Sequence, residues 1–337
     1  MLFVHSIGDN QVRIWGLSSQ ERFARQIGQI GDARWIDDLS ALPAGASVLI
    51  SRSDYIMEVR TLRELLKRSD TALCAADGQP AVAIVSASKA QLAAEQLRSG
   101  NVEDPGTLQV LDTTELGGYD RQLRRAKPPL LEPVSERTRV HLENTLYGSA
   151  YKGITDLVTK WLWPKPAKSV VRRLADLGAT PNMVTAVGAV LMVAAGILFY
   201  NGHYVAGLAA GWLMTFLDTV DGKLARVTVQ SSRFGHYFDH GIDLLHPPFW
   251  YVFWGMSLTG LQPAMGVSQT DLYWVIGIGY VLGRVAEGLF HLLGDCSIFT
   301  WRPFDAYFRL ITARRNPCLI ILTGAVAVGG PDWGFLG

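Results

Sequence analysis

Four aspartates crowd a short stretch in the second half of the chain: Asp218, Asp221, Asp239 and Asp243. The first pair lies in Asp218-Thr219-Val220-Asp221-Gly222-Lys223-Leu224-Ala225-Arg226. After eight intervening residues comes Gly235-His236-Tyr237-Phe238-Asp239-His240-Gly241-Ile242-Asp243. On a helix, positions three, four and seven apart share a face, so Asp218, Asp221, Ala225 and Arg226 line up, as do Asp239 and Asp243. Two neighbouring helices then aim four carboxylates at one point. Carboxylates beside apolar helices are costly and normally face a cavity, a partner or an ion. A hard divalent cation such as magnesium takes oxygen ligands and bridges them to phosphates. Gly222 and Ala225 leave room for close approach, and Arg226 offers a planar fork suited to phosphate. The chemistry is that of a metal-held diphosphate. Carboxylates already suit a hard ion, so His236, His240 and His246 read as polar neighbours, with His240 at most behind the ligands.

The elements that carry these residues are apolar. The chain has 337 residues, 49% of them hydrophobic and only 18% charged. Most charge lies before residue 180, and apolar runs follow at 183–200, 204–217, 244–258, 272–293 and 318–328. A helix needs ~20 residues to cross a hydrocarbon core, so the second and third runs reach that length only with their aspartate-bearing segments. The expected fold is therefore multi-domain: a small α/β domain over 1–115, a basic connector with an interfacial helix over 116–180, and an all-α polytopic membrane domain of five to six spans over 181–337. Basic clusters before the first and last runs, the latter containing Arg309, Arg314 and Arg315, put those entries in the cytoplasm. No cleaved signal peptide is expected from residues 1–9. The formal net charge of +1 gives no argument for a nucleic-acid partner. Three scattered cysteines suggest neither a disulfide framework nor a zinc site.

Strands are expected at 2–5, 47–51, 72–75 and 81–85, the last two joined by the turn at Asp77-Gly78-Gln79-Pro80. Helices are expected after Ser18, which has capping-box spacing to Glu21, at 54–67 and at 89–98. The alternation predicts a small, largely parallel sheet. Lysines, arginines and tryptophans between 152 and 173 suit a helix lying at the membrane surface.

The pattern D-x-x-D-G-x-x-A-R-x8-G-x3-D-x3-D, present at all eight fixed positions, resembles the signature of the CDP-alcohol phosphotransferases, also called CDP-alcohol phosphatidyltransferases. The resemblance covers about 180–330. It implies that Asp218, Asp221 and Asp239 hold two divalent cations, magnesium or manganese, with Asp243 completing the site and serving as general base. It implies that Gly222, Ala225, Arg226 and Gly235 line the nucleotide pocket, with Asn182 near it. The expected activity is metal-dependent transfer of a phosphoalcohol group from a CDP-linked donor, CDP-diacylglycerol or a CDP-polyol, to a hydroxyl acceptor. CMP leaves, and the product belongs to phospholipid or polar phosphodiester biosynthesis. A phosphorylated polyol is one candidate acceptor, with Arg284, Arg302 and Arg309 as its basic contacts; Glu287 is equally placed to pair with Arg284. Family membership also implies a homodimer in the inner or cytoplasmic membrane, among membrane lipids, with the active site and N-terminal domain facing the cytoplasm. Five spans are countable where the family has six.

The α/β domain ahead of this motif resembles the nucleotidyltransferase-like half of fused di-inositol-phosphate phosphate synthases. It has no glycine-rich loop after the first strand, only Ser6-Ile7-Gly8-Asp9, so it is expected to be degenerate. The alternative function is a transporter or ion pathway using the aspartates. Clustering of the acids at one membrane face, with no half-chain repeat, counts against it.

Overall fold

In the computed structural model the chain divides into two compact units, Met1–Tyr151 with Val227–Val229, and Lys152–Arg226 with Gln230–Gly337. The structure describes residues 1–101, 108–116, 119–120, 125–126, 129–151, 153–231, 233–258, 268–294, 296–312 and 315–336. For 119, 120, 125, 126, 233, 234, 236 and 239 only the backbone is described.

The first unit opens with β1 (Leu2–Ile7), α1 (Ser19–Ile30), β2 (Ala33–Trp35), β3 (Ser47–Arg52), β4 (Tyr55–Met57) and α2 (Val59–Leu65). It continues through β5 (Thr71–Cys74), β6 (Pro80–Ser86), α3 (Ala90–Ser99) and β7 (Gln109–Asp112). The two-residue strands β8 (Tyr119–Asp120) and β9 (Arg125–Ala126) pair with each other, and β10 (Leu131–Pro133) and α4 (Arg139–Ser149) complete the unit. Six strands form one sheet in the order β2-β1-β3-β6-β5-β7. Val4, Leu49 and Leu73 face a core shared with α1 and α2; Val48, Ile50 and Ala83 face the opposite core under α3. Both faces are covered, which is why these strands read as continuous apolar runs.

The sheet is mixed, not largely parallel. β1 runs parallel to β2 and β3, and β5 to β7, but β6 is antiparallel to both β3 and β5. The short turn at Asp77–Pro80, with Gly78 at φ +79, is the cause: so few residues can only reverse the chain, because a parallel return needs a crossover of about a dozen or more. The helix expected over 54–67 is shorter. Tyr55–Met57 is instead a buried strand, paired antiparallel with Leu131–Pro133. Three consecutive apolar side chains fit either element, and a partner more than seventy residues away decided for the strand.

The capping box forms as expected. Ser18 Oγ accepts from the Glu21 N–H at 3.1 Å, and Glu21 Oε2 accepts from the Ser18 N–H at 2.8 Å. Beyond residue 115, α4 lies in the first unit, where Leu142 and Leu146 are buried and Tyr147 stacks on Trp15.

The second unit begins with a π-helical turn at Val158–Leu162 and α5 (Pro164–Asp176). On α5, Ala167, Val171 and Ala175 form a buried stripe while Lys165, Arg172 and Arg173 are exposed. Then come α6 (Pro181–Tyr200), α7 (Tyr204–Val227), α8 (Arg233–Ser257) and α9 (Gln269–Gly294). Short α10 (Ile298–Trp301) and α11 (Pro303–Phe308) lead to α12 (Arg315–Ala327) and α13 (Pro331–Leu336). Phe199, Trp250, Trp254, Leu319 and Leu322 are in the core where these helices meet. Gly207 and Gly211 on α7 permit the close packing: a Cβ would come within 2.5 Å of the Phe199 ring at the first and 3.3 Å of Trp250 at the second. Among the described residues two helices are long and apolar enough to cross a membrane, α6 with mean hydropathy 2.2 and α9 with 1.3. α7 and α8 have 24 and 25 residues but carry the aspartates.

Candidate active site

α7 carries Asp218, Asp221, Gly222, Ala225 and Arg226 on successive turns, and α8 carries Gly235, Asp239 and Asp243. Asp221 is buried and fastened from α6, where Thr185 Oγ1 donates to its Oδ2 at 2.6 Å. The same hydroxyl lies 3.1 Å from the Pro181 carbonyl, so α6 presents it from its first turns.

Asp218 and Asp243 converge on one cation. The guanidinium of Arg315, at the start of α12, donates through one nitrogen to Asp218 Oδ2 and through another to Asp243 Oδ1. All three side chains are partly buried. Arg315 is itself set by its neighbour: Asn316 Nδ2 donates to Asp156 Oδ1 at 2.9 Å. That same oxygen accepts the N–H groups of Val158 and Thr159, opening the segment before α5. The backbone nearby is tied as well, with the Leu157 N–H donating to the Leu310 carbonyl at 3.1 Å.

Directly after Asp243, α8 contains Pro247 and Pro248. Neither has an N–H, so the carbonyls four residues back, of Asp243 and Leu244, lose their helical donors. The Leu244 carbonyl is repaired from α9, where the Tyr280 hydroxyl donates to it at 2.6 Å. Such repair is what lets prolines persist in apolar helices. His246, between these features, is buried. Its Nδ1 donates to the Ile242 carbonyl at 2.6 Å and its ring packs edge-on to Trp250.

Arg226 folds back along α7. A Cβ on Gly222 would stand 3.2 Å from its guanidinium, so the glycine makes room for that side chain. Asn182 is exposed at the start of α6, and Gly235 is half-buried. The Asp239 and His236 side chains lie outside the described residues, and His240 is exposed. Among the described residues no three His, Cys, Asp or Glu side chains group closely enough to hold an ion.

The arginines expected at an acceptor each have a contact of their own. Arg284 pairs with Glu287 at 2.6 Å. Arg302 stacks on Trp301 at 3.9 Å, and buried Arg309 on Phe299 at 3.7 Å. The arginine at the carboxylates is Arg315, which the sequence reading counted only as part of a flanking basic cluster. Its position at the head of the last apolar run was the available signal. Thr185 had none, since a threonine in an apolar helix is common.

A sequence model of the CDP-alcohol phosphatidyltransferase family matches residues 179–286. A phosphatidylinositol phosphate synthase of Mycobacteroides abscessus is 34% identical over 189 residues, 52% of this chain and 76% of that protein. An archaetidylinositol phosphate synthase of Pyrococcus horikoshii is 38% identical over 100 residues, 29% of this chain and 50% of that protein. Choline/ethanolaminephosphotransferase 1 of Arabidopsis thaliana is 35% identical over 130 residues, 35% of this chain and 32% of that protein. The chain thus spans about half the length of the archaeal relative and about a third of the plant one.

Proposed function

The chain belongs to the CDP-alcohol phosphatidyltransferase family, and from that premise we propose that it transfers a phosphoalcohol group from a CDP-linked donor to a hydroxyl acceptor, releasing CMP. One observation supports this reading above the others: carboxylates from α7 and α8 share a single cation, with Asp221 one turn from Asp218 and fixed by Thr185.

The donor set fits divalent ions. Asp218 and Asp243 already gather positive charge between two helices, and their oxygens are the hard ligands that magnesium or manganese takes. In our reading Asp218, Asp221, Asp239 and Asp243 hold two such ions. When bound, they supply neutralisation of the donor diphosphate and of the charge developing on the transferred and leaving oxygens.

The chain's own residues do the rest. Arg226, seated over Gly222, grips the nucleotide phosphate, with Ala225, Gly235 and Asn182 completing the nucleotide pocket. Arg315 engages Oδ1 of Asp243, which directs Oδ2 to the acceptor. Oδ2 takes the acceptor hydroxyl proton as that oxygen attacks the phosphorus bearing the donor alcohol. A new P–O bond forms, the P–O bond to CMP breaks, and CMP leaves with the electron pair. The names of two relatives, both inositol phosphate lipid synthases, favour a phosphorylated polyol as acceptor. Arg284, Arg302 and Arg309 are its proposed contacts, and Arg284 would exchange Glu287 for substrate. The helical unit is read as a multi-pass membrane domain of a homodimer, with its active site at the cytoplasmic face. The N-terminal unit is read as a degenerate nucleotidyltransferase-like domain serving assembly or regulation.

The test is CMP release by the full chain in nanodiscs. CDP-diacylglycerol and CDP-inositol are each offered with polar acceptors including inositol 1-phosphate and glycerol 3-phosphate. Metal-dependent CMP formation from one pair is expected. Failure to bind CDP in the presence of magnesium or manganese would overturn the reading, as would ion flux in liposomes without CMP formation.

A further inference from the structure

The C-terminal end of α7 is closed under strain. Val229 follows the helix in a left-handed conformation, φ +53. Glycine is the usual occupant of that position, and a β-branched residue there is strained. The Gln230 N–H donates to the Ala225 carbonyl at 2.8 Å, so the chain folds back over the last turn of the helix. That bond serves Ala225. The carbonyls of Val227 and Thr228 come later and need donors from elsewhere. Both residues are buried, where an unpaired carbonyl is costly.

The donors come from α1. Arg22, 2% exposed, gives one guanidinium nitrogen to the Val227 carbonyl at 2.7 Å and to the Ile14 carbonyl at 3.0 Å. Arg25, on the same helix face, donates to the Thr228 carbonyl at 2.8 Å. α7 begins in the second unit, but Val227–Val229 belong to the first, so these bonds lie within the first unit. α1 is itself fastened there. Phe23 and Ile27 share a core with Val4 and Leu49, and Gln26 Nε2 donates to the Met57 carbonyl at 2.6 Å. A cation at a helix C-terminus also opposes the negative end of the helix dipole. Burial, with the like charge of Arg25 nearby, pulls the Arg22 guanidinium down to about 10, so it is still cationic at neutral pH.

Backbone strain of this kind persists only where the surroundings over-determine it. We propose that Arg22 and Arg25 are positioning residues: they clasp the C-terminal end of α7 and thereby hold Arg226, the residue before Val227, in place for the nucleotide. The effect on the nucleotide rests on the transfer reading of the aspartate site; the clasp does not. The first unit then has a task that needs no nucleotidyltransferase chemistry of its own.

The test uses the full chain in nanodiscs. Hydrogen exchange over residues 225–230 reads the clasp without any ligand. CDP affinity, by calorimetry with magnesium present, reads its consequence. In Arg25→Gln, exchange over this segment should rise about fivefold, the size expected for a charge at a helix terminus, and CDP should bind about fivefold more weakly. Arg22→Met should do at least as much, because it leaves a buried carbonyl unpaired. If that variant fails to fold, Arg25→Gln still decides. Adding Val229→Gly to Arg25→Gln should recover most of both losses, since glycine takes the left-handed conformation freely. An arginine that merely stabilised α1 would gain nothing from that change. Unchanged exchange in Arg25→Gln overturns the clasp. Faster exchange with unchanged CDP affinity, or loss of both without recovery by Val229→Gly, overturns the positioning role. A wild type that binds no CDP removes the transfer reading instead, and exchange alone then supports or overturns the clasp.

Discussion

Val140 on α4 and Val281 on α9 are almost equally exposed, at 59% and 58%, but their surroundings differ. Val140 stands between Arg139 and His141, on a helix whose other apolar residues Leu142 and Leu146 are buried. On α9 no residue is buried, yet most of the helix is apolar, and Val275, Leu282 and Leu292 are at least as bare as Val281. In the first unit Lys67–Glu64 and Arg13–Glu21 pair locally on the surface. In the second, Arg284 and Glu287 also pair locally, but partly buried Arg315 reaches carboxylates 97 and 72 residues away. An exposed apolar residue set among charged neighbours belongs to a surface built for water; a long run of bare apolar residues along one helix belongs to a face built for lipid.

The contrast is sharpest in the chemistry of the second unit. Asp243→Asn should lower CMP formation about a thousandfold, about 4 kcal/mol of barrier, as expected on losing a general base. CDP binding and folding should be retained, and undiminished turnover would remove Asp243 from the mechanism. Next in size is Arg315→Gln. Removing the shared cation of this partly buried cluster leaves like charges facing each other, so stability in EDTA should fall by about 3 kcal/mol. Magnesium should recover much of that loss if the carboxylates take a divalent ion. An unchanged unfolding midpoint in EDTA would mean that the pair is not formed.

The two valines give the direct comparison. Val281→Asp should cost about 3 kcal/mol of membrane insertion, read by glycosylation-site mapping or insertion yield. Val140→Asp should change stability by no more than about 0.5 kcal/mol. Equal tolerance at both positions would mean that α9 does not face lipid. The smallest effect expected is at the capping box: Ser18→Ala should cost about 1 kcal/mol in a chemical unfolding curve, since one helix donor loses its partner.

Legibility followed distance along the chain. Ser18 and Glu21, three residues apart, were readable as a cap because both bonds close within one turn. The strands around Val48–Ile50 and Ala81–Val85 were readable from unbroken apolar runs. Tyr55–Met57 was read as helix because nothing local distinguishes it; its strand partner is Leu131–Pro133. The direction of β6 was available in its short turn but was outweighed by the alternation of strands and helices. On α7 and α8 the spacing of the aspartates put Asp218 with Asp221, and Asp239 with Asp243, on shared faces. It was silent on the residues that reach them from elsewhere.

What the sequence determined by itself was therefore periodic and local: the helix faces that carry the carboxylates, the caps and turns, and the division into a charged first half and an apolar second half. These follow from 3.6-residue and two-residue repeats and from side-chain chemistry, which need no partner. Only the tertiary structure decided that Thr185 fastens Asp221, that Arg315 joins Asp218 to Asp243, and that Tyr280 repairs the carbonyl freed by Pro248. Each of those contacts links residues 36 or more positions apart, and no local pattern records which distant polar group a folded interior will bring to an unsatisfied one.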